Sequence, residues 1–249
     1  MISWENLSKL DSYKKLQALK GAVTLSDVLS GPAGADRVKA YQVPMAAGLT
    51  YNYAAKQVNE QVLEVLAKLA QEAQLTEKFA ETYNGAVINT GEKRLVLHHL
   101  TRGQLGKDVI ADGVNKREFY VAQQKAVADF AEKVHSGAIA NAKGEQFTTV
   151  VQIGIGGSDL GPRAMYLALK EWAIANRKCR MEAHFISNVD PDDATAVLKS
   201  IDLAHSLFIL VSKSGTTLET LTNEAFVKDA LKKAGLEPAK HMIAVTSET

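Results

Sequence analysis

The feature that most constrains the fold of this chain is a change in the pattern of apolar residues near residue 145. Short runs rich in aliphatic residues follow it, and stretches of helical character separate them. We predict strands at residues 149–153, 182–186, 207–211 and 242–246, and helices at residues 160–175, 192–199 and 217–233. Strands that are apolar on both faces and alternate with helices favour right-handed crossovers and a parallel sheet covered on both sides. The predicted fold class is therefore α/β.

The preceding part of the chain predicts mainly helix. Apolar residues recur at helical spacing over residues 4–19, 50–73 and 115–134, whereas residues 31–34 and 101–113 are rich in turn-forming residues and predict loops. We therefore predict a mainly helical segment over residues 1–145 and an α/β domain over residues 146–249. The run at 242–246 resembles a central strand, which a covering helix normally follows. We expect the chain to be the N-terminal portion of something longer.

Composition excludes several classes of function. The 249 residues carry a net charge of +1, so no excess of positive charge is available for general nucleic-acid binding. The N-terminal residues are polar and do not form the apolar core of an export signal. The longest aliphatic and aromatic run, residues 207–211, is far too short to cross a bilayer. With Cys179 as the single cysteine, we expect a reduced, cytoplasmic protein with no membrane partner.

Two of the predicted strands run into unusual loops at the sheet edge where open α/β folds bind ligands. The first loop, residues 154–162, reads GIGGSDLGP. Glycines let a ligand approach the backbone, Ser158 offers a hydroxyl at the start of a helix, and Pro162 suits a first helical turn. Asp159 replaces the third glycine of a dinucleotide fingerprint and would repel a pyrophosphate. A ligand-binding loop and a simple packing turn remain equally open.

The second loop, residues 212–217, reads SKSGTT and precedes a predicted helix. The unpaired N–H groups and the positive dipole end of a helix N-terminus favour an anion there. Serine and threonine hydroxyls can donate to phosphate oxygens, and Lys213 adds a positive charge. A helix cap alone would need only Thr216 or Thr217. We therefore favour a site for one terminal monophosphate over a simple cap.

Other polar residues are weaker candidates, namely His98, His99, His184, His205, Asp190, Glu219 and Cys179. The adjacent histidines have no third ligand at metal-site spacing, so no metal is expected, and the remaining histidines and the cysteine suit packing or loop positions. Asp190 opens the run DPDD, which is typical of a helix start. Glu219 either suits the helix dipole or reaches a ligand bound at the second loop.

Both loops lie in longer motifs, VVQIGIGGSDLGP at residues 150–162 and LFILVSKSGTTLET at residues 207–220. Four further pieces follow the same order, INTGEKR at 88–94, VLH at 96–98, FISNVD at 185–190 and AVTSET at 244–249. Together they closely resemble the glucose-6-phosphate isomerase family, with a likeness that runs from about residue 50 to the end. Several long motifs in order are far more specific than a single glycine-rich loop.

The resemblance implies a fold of the sugar-isomerase (SIS) type and reversible interconversion of glucose 6-phosphate and fructose 6-phosphate in glycolysis and gluconeogenesis. It also implies a homodimer, an enediol(ate) intermediate, and neither metal nor cofactor. Carried over by position, the residues that bind the 6-phosphate would be Ser212, Lys213, Ser214, Gly215, Thr216 and Thr217. Gly157 and Ser158 would contact the substrate from the neighbouring loop. Position 214 is often threonine in the family, and Ser214 keeps the hydroxyl.

The family's glutamate base, with its histidine, lysine and arginine, lies in motifs beyond the end of this sequence. We therefore expect this chain to bind sugar phosphate weakly and not to isomerise it. The main alternative is a non-catalytic SIS domain that senses sugar phosphate, which would keep both loops without a base. A nicotinamide-dependent dehydrogenase built on Gly154 and Gly156 is a distant third, because Asp159 counts against it.

Overall fold

The computed structural model describes residues 2–91, 93–102 and 107–247, which divide between two compact units, Met1–Ala122 and Gln123–Thr249. The unit boundary falls within helix α6. The predicted domain division at residues 145 and 146 stays a prediction.

The first unit is mainly helical, with two small antiparallel hairpins. Its elements are α1 (Asp11–Ala18), α2 (Leu25–Val28), α3 (Gly31–Ala40), β1 (Gln42–Pro44), β2 (Thr50–Asn52), α4 (Glu60–Glu72), α5 (Leu75–Tyr83), β3 (Ile110–Ala111) and β4 (Val114–Asn115), with 3-10 turns at Leu7–Lys9, Ala46–Gly48 and His98–Thr101. Helix α6 (Lys116–His135) matches the helix predicted at 115–134.

Two helix predictions in this unit are wrong in detail. The helix predicted at 4–19 is split, because Leu10 adopts extended angles between the 3-10 turn and α1. The helix predicted at 50–73 begins only at Glu60, after Asn59 accepts a hydrogen bond from the Val62 amide as an N-cap. Residues 50–52 instead pair with β1 as strand β2.

The loop predicted at residues 31–34 is also wrong, since these residues open helix α3. Proline is favoured in a first helical turn, where its missing N–H costs nothing. A Cβ at Gly34 would overlap the Leu29 carbonyl oxygen, so this glycine is required by close packing and does not mark a turn. The loop predicted at 101–113 contains strand β3, and its residues 103–106 lie outside the described part of the chain.

Arg37 is the polar centre of the first unit. The residue is 9% exposed, and its side chain donates hydrogen bonds to the backbone carbonyls of Ala54, Lys56 and Val58 at 2.8 to 3.0 Å. The guanidinium also lies 3.9 Å from the ring centroid of Tyr41. One buried cation therefore holds the segment before α4 against α3.

The second unit is the predicted α/β layer. Its elements are β5 (Thr149–Ile153), α7 (Gly157–Ala175), β6 (Glu182–Ile186), α8 (Pro191–Ser200), a 3-10 turn (Leu203–His205), β7 (Ser206–Val211), α9 (Leu218–Lys233), α10 (Pro238–His241) and β8 (Met242–Val245). The four strands form one parallel sheet in the order β6-β5-β7-β8. The predicted strands, helices and parallel pairing are confirmed. Strand β8 was predicted to be central, but among the described residues it pairs only with β7. An apolar run predicts a strand and does not reveal how many neighbouring strands it has.

Helices cover both faces of this sheet. On one face, Val151 and Ile153 are fully buried against Ala194 of α8 and Val227 of α9. On the other face, the Tyr166 ring of α7 lies against Phe185 of β6, with ring centroids 5.9 Å apart. The helix that follows β5 and the helix that follows β7 therefore lie on opposite faces.

Candidate functional site

The two loops singled out in the sequence meet at one edge of the sheet. Strands β5 and β7 are parallel neighbours, with Ile153 opposite Leu210, so both strands end on the same side. The chain leaves β5 toward α7 on one face and leaves β7 toward α9 on the other. The crevice at such a topological switch point is the usual ligand-binding place in open α/β sheets. The structure thus places residues 154–158 and 212–217 at the same edge of the sheet, at the ends of neighbouring strands.

The first loop turns sharply from β5 into α7. Gly156 has φ of 58° and ψ of −119°, a conformation that essentially only glycine adopts. A Cβ at Gly154 would lie 2.7 Å from the Ser158 carbonyl oxygen. The backbone at residue 158 therefore approaches residue 154 too closely for a side chain there. Gly157 differs, because a Cβ there would meet no atom within 4 Å. The sequence needs glycine at 154 and 156 for folding, whereas the space beside Gly157 is open.

Helix α7 begins three residues earlier than predicted. Its N-cap is Gly156, so Ser158 is the second helical residue and Pro162 the sixth. The prediction that Pro162 sits in the first turn is therefore wrong. A proline at this position leaves the carbonyl of residue 158 without its intrahelical donor. The side-chain amide of Gln152, on β5, donates to that carbonyl at 2.6 Å.

Asp159 has a structural partner that the sequence analysis missed. Its side chain is 5% exposed, and its Oδ1 lies 3.0 Å from a guanidinium nitrogen of Arg163. The Arg163 guanidinium also sits 4.9 Å from the ring centroid of Phe185. A carboxylate in the first turn suits the helix dipole. The four-residue spacing of Asp159 and Arg163 was the available signal for this pair.

The second loop is built around its own hydroxyl groups. Ser212 is 6% exposed, accepts from the Gly215 amide at 3.2 Å and donates to the Thr217 hydroxyl at 3.2 Å. Ser214 accepts from both the amide and the hydroxyl of Thr216, at 3.2 and 2.9 Å. Because Ser214 and Thr217 act as acceptors in these bonds, each retains a hydroxyl hydrogen that can be donated to a ligand.

The end of β8 and the residues that follow it support this loop. The Ser212 amide donates to the Val245 carbonyl at 3.0 Å, and the Ser247 amide donates to the Lys213 carbonyl at 3.2 Å. Gly215 takes a positive φ of 68° at the tip of the loop. No sequence signal links residues 245–247 to the loop, because the contact depends on the pairing of β7 with β8. Residues 248 and 249 of the AVTSET motif lie outside the described residues.

The start of helix α9 faces this loop. Thr217 is its N-cap residue but makes no side-chain capping bond to the first turn. The first amides of a helix have no intrahelical acceptor and carry the positive end of the dipole. Lys213 is exposed in the same loop. Chemically, the loop can present hydroxyl hydrogens, backbone amides and a lysine to a single anionic group.

The weaker candidates have mostly structural positions. Asp190 caps α8 by accepting from the Asp192 amide at 2.9 Å, as predicted. The His99 ring stacks on Tyr83 at a centroid distance of 3.8 Å. Cys179 is exposed, and Glu219 lies in the first turn of α9. No group of three or more histidine, cysteine, aspartate or glutamate residues that could hold a metal ion occurs within the described part.

A large apolar cavity lies beside the sheet and is not lined by the two loops. It has a volume of about 880 Å³ and opens between helices α6 and α7 and one face of the sheet. Its lining includes Phe130, Met165 and Leu207, and it includes none of the residues from 154 to 158 or from 212 to 217. The polar groups converge at the strand ends and not at this cavity, so we place the candidate site at the strand ends.

Comparison with known proteins agrees with this architecture. An open parallel α/β sheet with polar loops at its switch point defines a ligand-binding domain of the α/β class. The family model of phosphoglucose isomerase matches residues 52–249. The chain belongs to the phosphoglucose isomerase family. Among the described helices, none combines the length and the apolar character that crossing a bilayer requires.

Individual relatives give the same result. The glucose-6-phosphate isomerase of Treponema denticola is 56% identical over the whole of this chain, and that of Borreliella afzelii is 45% identical over 99% of it. A crystal structure of a glucose-6-phosphate isomerase from Chlamydia trachomatis superposes with a TM-score of 0.76 at 33% identity over 98% of this chain. This chain spans 47% of the Treponema denticola protein, 46% of the Borreliella afzelii protein and 46% of the Chlamydia trachomatis chain.

Proposed function

We propose that this chain carries the sugar-phosphate-binding part of a glucose-6-phosphate isomerase. The observation that carries the proposal is the meeting of two loops at the neighbouring ends of β5 and β7. One loop is rich in hydrogen-bond donors for an anion, and the other exposes backbone beside open space. A sugar phosphate needs both kinds of contact, one at its phosphate and one at its hydroxyls.

The phosphate end of the ligand lies at residues 212–217 in this proposal. The hydroxyl hydrogens of Ser214 and Thr217 and the first amides of α9 donate to phosphate oxygens, and Thr216 and Gly215 shape the loop. Lys213 balances part of the phosphate charge. Ser212 is largely buried and bonded within the loop, so it holds the loop in shape beneath the phosphate.

The sugar end of the ligand lies at Gly157 and Ser158. The absence of any atom within 4 Å of a Cβ position at Gly157 leaves room for a sugar beside the backbone. The Ser158 hydroxyl, in the first turn of α7, provides a donor and an acceptor for a sugar hydroxyl.

Isomerisation needs more than these two ligand-binding loops. A base must move a proton between C2 and C1 of the sugar through an enediol(ate), and a cation must stabilise the developing oxyanion. Asp159, the carboxylate within the first loop, is buried and paired with Arg163, so it does not serve as that base. We propose that the isolated chain binds sugar phosphate without isomerising it, that the whole enzyme is a cytoplasmic homodimer, and that it uses no metal or cofactor.

Calorimetry with 6-phosphogluconate tests the phosphate site. Lys213→Ala removes a charge-assisted contact, so we expect affinity to fall about tenfold to a hundredfold. Stability should change little, because Lys213 is exposed. Lys232→Ala is the matched control, since it removes the same charge from an exposed position at the far end of α9. Equal affinity of Lys213→Ala and the unaltered chain would move the phosphate site elsewhere.

A coupled isomerase assay tests the catalytic part. We expect no turnover of fructose 6-phosphate by the isolated chain at concentrations where calorimetry detects binding. Full turnover would overturn the assignment of the base to another part of the enzyme. Sugar-phosphate binding without turnover by the whole natural protein would favour the non-catalytic sensor instead.

A further inference from the structure

Gln152 is the polar residue of strand β5 that packing alone does not explain. Its neighbours Val151 and Ile153 are fully buried against α8 and α9, so Gln152 faces the opposite side, toward α7. Strands of a parallel sheet are covered on both faces and are normally apolar throughout. An amide in this position loses hydration and is tolerated only when it is hydrogen-bonded.

The partner of Gln152 is the carbonyl that Pro162 leaves without a donor. In a regular helix, the amide of residue 162 would donate to the carbonyl of Ser158. Proline has no N–H, and its ring pushes that carbonyl away from the helix axis. The Gln152 amide donates to the carbonyl at 2.6 Å, across the turn from the strand.

The same carbonyl is confined from another direction. Its oxygen lies 2.7 Å from the place where a Cβ of residue 154 would stand, so it packs directly on the Gly154 backbone. The carbonyl of Ser158 is therefore held between Gly154 and the Gln152 amide. These contacts fix the first turn of α7 relative to the end of β5.

We propose that Gln152 is a positioning residue that sets Gly157 and Ser158 for the sugar end of the ligand. The inference rests on the proposed function, since it requires that these two residues contact a sugar. Gln152 touches no ligand itself. Because the loop at 212–217 has its own hydrogen bonds, Gln152 has no part in holding the phosphate end.

The test compares two ligands on the 249-residue chain by calorimetry or ligand-observed NMR. Gln152→Met keeps the length of the side chain and removes the donor. We expect it to weaken 6-phosphogluconate binding about five- to tenfold, the value of one neutral hydrogen bond, and to leave inorganic phosphate affinity unchanged. Loss of both affinities in parallel would show a merely structural role and overturn the proposal, as would unchanged affinity for both ligands.

A second substitution provides a rescue. Pro162→Ala supplies the missing backbone N–H to the Ser158 carbonyl, so it should restore 6-phosphogluconate affinity in the Gln152→Met background and change little by itself. Failure of rescue in a folded double variant would overturn the proposal. If Gln152→Met does not fold, Gln152→Asn keeps an amide that is one methylene too short, and the same loss and rescue are expected. Failure of the unaltered chain to bind 6-phosphogluconate would instead refute the proposed function.

Discussion

Alanine at position 157 adds a single methyl group at the N-terminal end of helix α7. A Cβ there would meet no heavy atom within 4 Å, and the backbone of Gly157 does not have a positive φ. Gly161, one turn further along the same helix, shares both properties and is also exposed. Replacing a helical glycine with alanine stabilises a helix by up to about 1 kcal/mol. On stability grounds the two substitutions should therefore be harmless or slightly favourable.

Their effects on ligand binding should differ. The methyl group of Gly157→Ala enters the space that we assign to the sugar, whereas that of Gly161→Ala does not. We expect calorimetry with 6-phosphogluconate to show at least about a tenfold loss of affinity for Gly157→Ala, or about 1.4 kcal/mol, and no loss for Gly161→Ala. Thermal unfolding of both variants should show an unchanged midpoint or a rise of a few degrees, about 2–4 °C for each kcal/mol gained.

Equal affinity of the two variants would refute the reasoning, because Gly157 would then have no ligand beside it. A fall in the unfolding midpoint of Gly157→Ala alone would refute it differently, since the glycine would be required by the fold. Only a loss of binding at preserved stability agrees with a site at the end of β5.

Other substitutions test the fold around the site. Gly154→Ala should destabilise the second unit by about 1–3 kcal/mol in chemical denaturation, because its methyl group would overlap the Ser158 carbonyl. An unchanged midpoint denaturant concentration would contradict the close approach of the two groups. Arg37→Met should destabilise the first unit by about 3 kcal/mol or more, since it leaves buried carbonyls without donors, and a change below about 1 kcal/mol would show that water replaces the guanidinium. The pKa of Asp202 is held below its ordinary value by the hydrogen bond from His205 and then by the Ala204 amide. The stability from this contact is present above the unfolded-state pKa and is lost as pH falls through the lower folded-state pKa. Asp202→Asn should therefore flatten the pH dependence of the free energy of unfolding below about pH 4. The same decrease in this free energy at acid pH in the variant and the unaltered chain would contradict the assignment.

Most of the sheet, and the position of both loops at one of its edges, could be predicted from the sequence. The predicted bounds of β5 and β6 match the structure, because apolar runs of strand length are bounded there by turn residues. The position of both loops follows from the parallel pairing of β5 with β7, and the rule that ligands bind at the carboxyl ends of such strands makes them the candidate site. Local patterns were enough to place the two loops, because each loop directly follows a strand.

The errors arise where one residue type has two structural uses. Glycine and proline at residues 31–34 predict a turn, yet Pro32 lies in a first helical turn and Gly34 is required by contact with Leu29. Pro162 is the reverse case, since it lies deeper in α7 than a first-turn proline. Its missing N–H is visible in the sequence. The amide that replaces it comes from the face of a strand, which only the fold brings near.

Different interactions stabilise the two loops of the candidate site, so substitutions in one loop should not affect the other. The loop at 212–217 is stabilised by hydrogen bonds among its own hydroxyls and to the chain after β8. The turn at 154–158 is held by steric contact at Gly154 and by the Gln152 amide. We therefore expect a substitution at Gln152 to weaken 6-phosphogluconate binding alone. A substitution at Lys213 should weaken the binding of both 6-phosphogluconate and inorganic phosphate. If both substitutions weakened both ligands equally, the two loops would form one cooperative unit and not two separable contacts.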